Sequence, residues 1–591
     1  MKAASAAFVH GPSTVNAPNP ALVSAKEAAP LPRVALLVFC AAYVLPGLVG
    51  RDPWRSADVS AFGHMLAVAE GRAPWSAPAL GGLPADIALL PIWIGAAFVR
   101  LGHGWLDPAI AARVPFALLL ALVIAGTWYA TYHLARFASA QPLAFAFGGE
   151  AKPVHYARAV ADGAALALMA SLGLLQLGHE TTPELVQLAG IGGVLYAQSI
   201  ATTRPWRSAG TLVLAAAVLA ASGAAAVAIA LALVTAAVAW NARRPPAPGP
   251  SLATRPAPLA VNDRTGGSTR GLAVALGAAL AAIAVAVAVA LPTGGFAGRW
   301  SGYGTPGQVA RLARGFVWFA WPAWMLAAWT LWSWRRRLAA PHLASPIATG
   351  AVLLAVWVAS AGSDRALLLA LPPIAVVAAF ALPTFQRSTA AAIDWFSVCF
   401  FTFAALVGWV IYVSMQTGVP AKPALNIARL SPGYAHTFSG VALAVAVLAT
   451  LAWIWLVHWR TSRRRHPLWK SLVLPAGGVA LCWMLVMTLL LPPLDNARSD
   501  RNLVVRLGRH VPRDAPCVAA PTLLRPQLAA LEIYGRWRVD ATSPAARTGC
   551  DWLLQDAARA APDGGWTLVA RERRLRGDAN VTAVWKRAGG G

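Results

Sequence analysis

Acidic side chains are the scarcest chemistry in this chain. Only 23 Asp and Glu stand against 49 Lys and Arg in 591 residues, and charged residues of both signs reach 12%. A soluble domain carries about twice that share, so an ordinary water-exposed globule is excluded. Five cysteines in such a length exclude a disulfide-stapled scaffold. No two histidines follow the H-x-x-x-H spacing of a helical metal site, and no period of about 20 to 50 residues repeats, which excludes a solenoid. Residues 1–30 hold no short cleavable hydrophobic segment, so the first apolar run reads as an anchor that leaves a cytoplasmic tail.

What is abundant is apolar. Hydrophobic residues make up 58% of the chain, and runs long enough to cross a bilayer recur from end to end. Spanning helices are expected at 31–50, 109–132, 158–177, 184–202, 208–222, 224–240, 271–291, 314–334, 346–361, 366–384, 393–414, 437–458 and 471–491. These thirteen leave the two ends of the chain on opposite sides. The formal net charge of +26 does not point to nucleic acid, because the basic residues gather in short loops between spans. The linker 241–270, the run Arg335 to Arg337 and "RTSRRRHPLWK" all fall on one side under this register, which the positive-inside rule makes cytoplasmic. Residues 85–101, "ADIALLPIWIGAAFVRL", would reverse that parity if they crossed. They are therefore laid along the outer face as an interfacial helix within a first outer loop, 51–108, with Trp93 and Trp105 near headgroup depth.

After Leu491 the composition changes. "APCVAAPT", "LAALEIYG", "CDWLLQD", "GWTLVARERRL" and "VTAVWKR" read as short strands, and "ARSDRNLVVRLGRHV" as an amphipathic helix. Residues 492–591 are thus expected to form a small α/β domain outside the membrane. There Cys517 and Cys550 are free to pair as a disulfide.

Polar residues return to the outer boundary from several distant loops: Asp52, Arg55, Asp58, His64 and Arg72, then His179, Glu180 and Glu184, then Arg299, Trp300, Tyr303, Arg311 and Arg314, then Asp364 and Arg365. Ionisable groups at that depth need water or a purpose. For a single Arg or Trp the plainer reading is an interfacial anchor, and for His64 and His179 a structural role. Arg51 and Trp54 are read as such anchors, and Asp52 as a solvated partner of Arg51 or Arg55.

The stretches "GRDPWRSADVSAFGHML", "GRAPWSAPALGGLP" and "ARVPFALLLALVIAGTWYATYHLARF" resemble the opening of bacterial polytopic glycosyltransferases of the GT-C superfamily, families 39 and 83. That group includes protein O-mannosyltransferases and aminoarabinose lipid A transferases. "LGHETTPELVQLAGIGGVLYA", "WFAWPAWMLA", "SDRALLLALPPIAVVAAFALP" and "LPPLDNARSDRNLVVRL" are similar to later parts of the same proteins. Where that family commonly has an Asp-Glu pair in the first loop, this chain has Ala57 and Asp58.

The resemblance implies a multi-pass bacterial inner-membrane enzyme that moves a sugar from a polyprenyl-phosphate carrier to an envelope lipid, glycan or protein acceptor. It implies membrane lipids as surroundings, leaves a divalent cation open as cofactor, and gives nucleic acid no part. The leaving phosphate calls for arginine, with Arg365, Arg299 and Arg113 as candidates. The acceptor proton or the anomeric charge calls for a carboxylate, with Asp58 first and Glu184 second. A catalytically degenerate relative and, further off, a transporter are the alternative readings.

Overall fold

In the computed structural model the chain is described over residues 20–588, apart from 55, 144, 146–147, 242–268, 293–305, 386, 432–433, 435–436, 462–466, 563–564 and 575–580. Each of the thirteen apolar runs falls on helix. Among the described residues, seven helices or runs of helices are long and apolar enough to cross a bilayer by themselves, including Pro108–Leu134, Thr269–Ala290 and Lys470–Thr488. The protein is an α-helical polytopic membrane protein with a small C-terminal α/β domain.

Three of the runs are broken: 366–384 divides at Leu369–Ala370 into Asp364–Leu368 and Leu371–Ala379, and the other two breaks face each other. The run 158–177 divides at Ser171 into Pro153–Ala170 and Leu172–Leu177, and the run 314–334 divides near Pro322 into Pro306–Phe319 and Ala323–Ser333. The two breaks meet: Leu172 N donates to Trp321 O at 3.1 Å. Backbone groups freed from a helix in an apolar bundle must find a partner, and here each interruption supplies one to the other. Elsewhere the helices approach through small residues. Gly126 of helix Pro108–Leu134 faces Gly192 of helix Pro183–Ile200, and a Cβ on Gly126 would sit in ordinary contact, 3.5 Å from the Gly192 Cα.

The end of the expected N-terminal tail is docked. Ala21, Val23, Ala28 and Leu31 are buried, Ala151 N donates to Val23 O, Trp469 Nε1 to Ala29 O at 2.8 Å, and Leu31 N to the Asp162 carboxylate at 2.8 Å. The linker 242–268 lies outside the described residues.

The segment expected to be interfacial forms helix Leu89–Leu101, which at 13 residues extends only about 20 Å, too short to cross the roughly 30 Å hydrocarbon core. It packs on helix Ala57–Ala69 through Ile92 and Ala96, while Trp105 is exposed. Between these helices lies a hairpin of β1 (Ala79–Leu80) and β2 (Leu83–Pro84).

The C-terminal domain holds a five-stranded sheet of β3 (Val518–Ala519), β4 (Val539–Asp540), β5 (Trp552–Asp556), β6 (Trp566–Arg573) and β7 (Val581–Arg587) in the order β4-β3-β5-β7-β6. β3 runs parallel to β4 and β5, while β7 is antiparallel to β5 and β6. Cys517 and Cys550, at the starts of β3 and β5, are disulfide-bonded across a separation of 33 residues. "LAALEIYG", expected as a strand, is instead helical: Arg525–Ala530 continues into a π-type turn, Leu531–Gly535. Leu528, Ala530 and Leu531 pack into the domain's own core with Val518, Val539 and Leu554 of the sheet, while Ala529 and Ile533 face helix Ala57–Ala69. Ala529 meets Gly63 of helix Ala57–Ala69 so closely that a Cβ on Gly63 would lie 2.7 Å from the Ala529 Cβ. The domain is thus seated on the first outer loop, and Ala541 N extends the contact by donating to Gly81 O at 2.8 Å.

Candidate functional site

Seating the C-terminal domain on the first outer loop encloses a cavity of about 1460 Å³. Its membrane-side wall carries Arg51, Asp52, Asp107, Ile110 and Arg113, and the first loop adds Phe62, Leu66, Glu70 and Arg72. The C-terminal domain closes it with Arg501, Glu532, Tyr534, Arg536, Arg538 and Asp540.

Two of the lining arginines are buried. Arg51 directs Nη2 to His179 O at 2.8 Å and to the Asp58 carboxylate at 3.4 Å, and its guanidinium lies over the Trp54 ring at 4.8 Å. Its Nε and Nη1 are out of contact with water and have no hydrogen-bond partner. Arg113 is 4% exposed, and its Nη1 reaches only Leu48 O, at 3.5 Å. Arg51, with two unused buried donors, and the buried Arg113 give this wall the chemistry to take an anion, which satisfies both charge and hydrogen bonding.

Asp58 sits in the first turn of helix Ala57–Ala69 and is buried. Its Oδ1 accepts from Thr181 N at 2.8 Å and Thr181 Oγ1 at 2.7 Å, and its Oδ2 accepts from Trp54 N at 3.1 Å beside Arg51. Burial pushes this carboxyl up, but Arg51, Arg113 and the two Thr181 donors outweigh it and hold it below its ordinary value. Asp58 is not among the residues lining the cavity. It stands behind Arg51, where every acceptor direction is engaged.

Glu184 and Arg365 come together in another cluster. Arg365 pairs with Glu180, with Glu184 at 3.2 Å and with Thr182 Oγ1 at 3.2 Å. Burial, reinforced by the Asp58 charge, raises the Glu180 carboxyl. Neither Glu184 nor Arg365 lines the cavity, but the cluster reaches it in steps: Glu180 accepts from Gln176 at 3.0 Å, Gln176 accepts from Arg498 at 2.7 Å, and Arg498 stacks on Trp54. Arg299, with Trp300 and Tyr303, lies outside the described residues.

Other expectations change. Arg51 and Trp54 are not headgroup anchors, for both are buried; Trp54 lies between Arg51 and Arg498 and donates its Nε1 to Asp495 at 2.6 Å. Burial raises the Asp495 carboxyl to about 6. Asp52 is held not by a neighbour in its own loop but by Arg501 (Oδ1 at 2.6 Å, Oδ2 at 2.9 Å) and Ser499 Oγ at 2.8 Å. His179 places its ring nitrogens 2.6 Å from Leu175 O and 2.8 Å from Tyr43 O, and burial lowers it to about 4. Sequence reasoning missed Tyr534, Arg536 and Arg538 as site residues. The only hint was the alternation of charge and aromatics in "EIYGRWRVD" after the turn. Among the described residues no group of three or more His, Cys, Asp or Glu could hold a metal ion.

Comparison with solved structures finds ArnT from Cupriavidus metallidurans, in an apo state and bound to undecaprenyl phosphate. Each superposes with a TM-score of 0.58 over 93% of this chain and 96% of that one, at 15% sequence identity. The chain has the ArnT fold. No protein-family model matches the chain. No curated protein matches it either.

Proposed function

We propose that the protein is a membrane glycosyltransferase that takes a sugar from a polyprenyl-phosphate donor and passes it to a lipid, glycan or protein acceptor at the outer face of a bacterial inner membrane. The observation that carries this reading is the pair of buried arginines, Arg51 with two unused donors and Arg113, on the wall of a large cavity. Support comes from the fold shared with a protein captured holding undecaprenyl phosphate.

In the reaction, the bond between the anomeric carbon and the phosphate oxygen breaks, the carrier leaves as polyprenyl phosphate, and an acceptor oxygen bonds to that carbon as it loses its proton. Arg51 and Arg113 bind the phosphate and stabilise the charge it gathers as the bond breaks. Asp58 acts on Arg51, holding the guanidinium against the cavity wall, and Thr181 fixes Asp58. Asp52 is the carboxylate of this group that faces the cavity, and it is our candidate for steadying the anomeric centre. Glu184 and Arg365 support the loop that carries Thr181. Arg299 remains a candidate phosphate ligand by resemblance alone.

A second reading is favoured by one observation: Ala57 removes a carboxylate from the first loop, and Asp58 is fully engaged. On that reading the protein binds the carrier without turning it over. Purified protein incubated with a panel of radiolabelled polyprenyl-phosphate sugars and envelope lipid extract separates the two. Transfer of label to acceptor supports the enzyme. Saturable binding of undecaprenyl phosphate without transfer supports the second reading, and lack of binding overturns both.

A further inference from the structure

At one end of the helix bundle, beside Arg204, Arg207 and Arg270, two adjoining cavities open among five helix ends. One, of 270 Å³, is lined by residues that include Gln198, Trp206, Thr235, Arg270 and Ser345. The other, of 620 Å³, is walled by Trp240, Leu276, Ala344 and Ala348, and the two share Val238 and Pro341. Both are near the about 300–1,000 Å³ of small-molecule sites. Neither is part of the Arg51 cavity, and the proposed reaction uses neither.

The chemistry of the walls is one-sided. Alanine, valine and leucine make most of the surface, and among the described lining residues Arg270 is the single charged one, with no carboxylate in either cavity. Exposed Arg204 and Arg207 stand at the same helix ends, so among the described residues lining and flanking these cavities the charge is positive. Gln198 is 8% exposed. Its carboxamide oxygen accepts from Ser345 and Thr349, and one amide hydrogen goes to Thr235 Oγ1 at 3.0 Å. The second amide hydrogen has no acceptor among the described residues. Trp206 and Trp240 are 76% and 58% exposed, as aromatic side chains are at a membrane interface.

We propose that these cavities hold one glycerophospholipid with an anionic headgroup. The acyl chain lies along the apolar wall, which would otherwise lose dispersion contacts to a void. The phosphate pairs with Arg270, and an ester carbonyl takes the free Gln198 amide hydrogen. Charge selects the lipid: basic pockets between helices on the cytoplasmic side favour anionic headgroups, at about a factor of five per nearby cation.

The test is native mass spectrometry of the full-length protein in neutral detergent, titrated with dioleoyl phosphatidylglycerol or dioleoyl phosphatidylcholine. The expected result is a retained phosphatidylglycerol adduct with at least about tenfold preference over phosphatidylcholine. Arg270→Glu should abolish that preference while leaving weak binding of both lipids. Ala275→Phe, which fills the cavity from its wall, should displace both. Thermal unfolding of each variant checks that it is folded, and a second filling variant, Ala348→Leu, serves if Ala275→Phe is not. Equal retention of the two lipids by the unmodified protein overturns the proposal. So does retention of phosphatidylglycerol that neither class of variant alters, or displacement of it by undecaprenyl phosphate at equal concentration.

Discussion

Replacing Asp58 by Asn tests how the anion site is built. The change keeps the shape and removes the charge, at a position where donors converge from Thr181 N, Thr181 Oγ1, Trp54 N and Arg51 Nη2. An amide can turn only its oxygen toward them, so its NH₂ must face a donor. Arg51 is then a buried guanidinium held by one carbonyl, that of His179, and by the Trp54 ring. Breaking a buried ion pair from one side costs about 3–5 kcal/mol. The loss should appear as a large drop in thermal midpoint in detergent. Arg51→Gln with Asp58→Asn removes both charges, and the double mutant should recover about 2–3 kcal/mol relative to the sum of the single changes. Asp52→Asn is the control. Its partner Arg501 is 57% exposed, so solvent screens the pair and the loss should stay within about 1 kcal/mol.

The pH dependence has a definite sign. The folded-state pKa of Asp58 lies below its unfolded value, so its contribution is complete above about pH 4 and is lost as pH falls through the folded value. Asp58→Asn should therefore flatten that acid limb. Stability of Asp58→Asn within 1 kcal/mol of the parent, or a double mutant as unstable as the sum, would refute the view that Asp58 exists to hold Arg51.

Arg113→Ala should weaken undecaprenyl phosphate binding by about 10- to 100-fold, the loss expected for hydrogen bonds to a charged group, when measured by calorimetry; an unchanged Kd would remove Arg113 from the phosphate site. Cys517→Ser with Cys550→Ser should destabilise the C-terminal domain by about 3–4 kcal/mol in the chain-entropy model for a 33-residue separation, read as earlier cleavage in a protease titration with heating. Gly63→Val should force the Ala529 helix off the first loop, given the 2.7 Å approach, and raise proteolysis between 491 and 525; full protection would show that the contact tolerates the bulk.

The membrane part was legible because its signal is local: an apolar run of bilayer length and an arginine at one end need no knowledge of what packs beside them. That is why all thirteen runs coincide with helix. Arg113 could be picked as a candidate because a basic residue near the start of an apolar run is conspicuous. The site itself was not legible. Arg51 looks like any boundary arginine, and only the fold reveals that two of its nitrogens are buried and unused. Asp58 looked like a base because it was the acid in the right loop, while the donors that engage it come from Thr181, 123 residues away. "LAALEIYG" shows a limit of pattern alone: so short an apolar alternation suits a strand or a half-buried helix, and Gly63 in a distant segment decides the matter.

One wall of the large cavity is contributed by residues beyond 500, which are synthesised after the helices and first loop that carry Arg51 and Arg113. The membrane helices and first loop can therefore insert and pack while lacking Tyr534, Arg536 and Arg538, and Arg51 and Arg113 then face open water rather than an enclosed chamber. Completion of the cavity awaits the seating of the C-terminal segment against Gly63, so the order of synthesis separates arrival in the membrane from completion of the chamber.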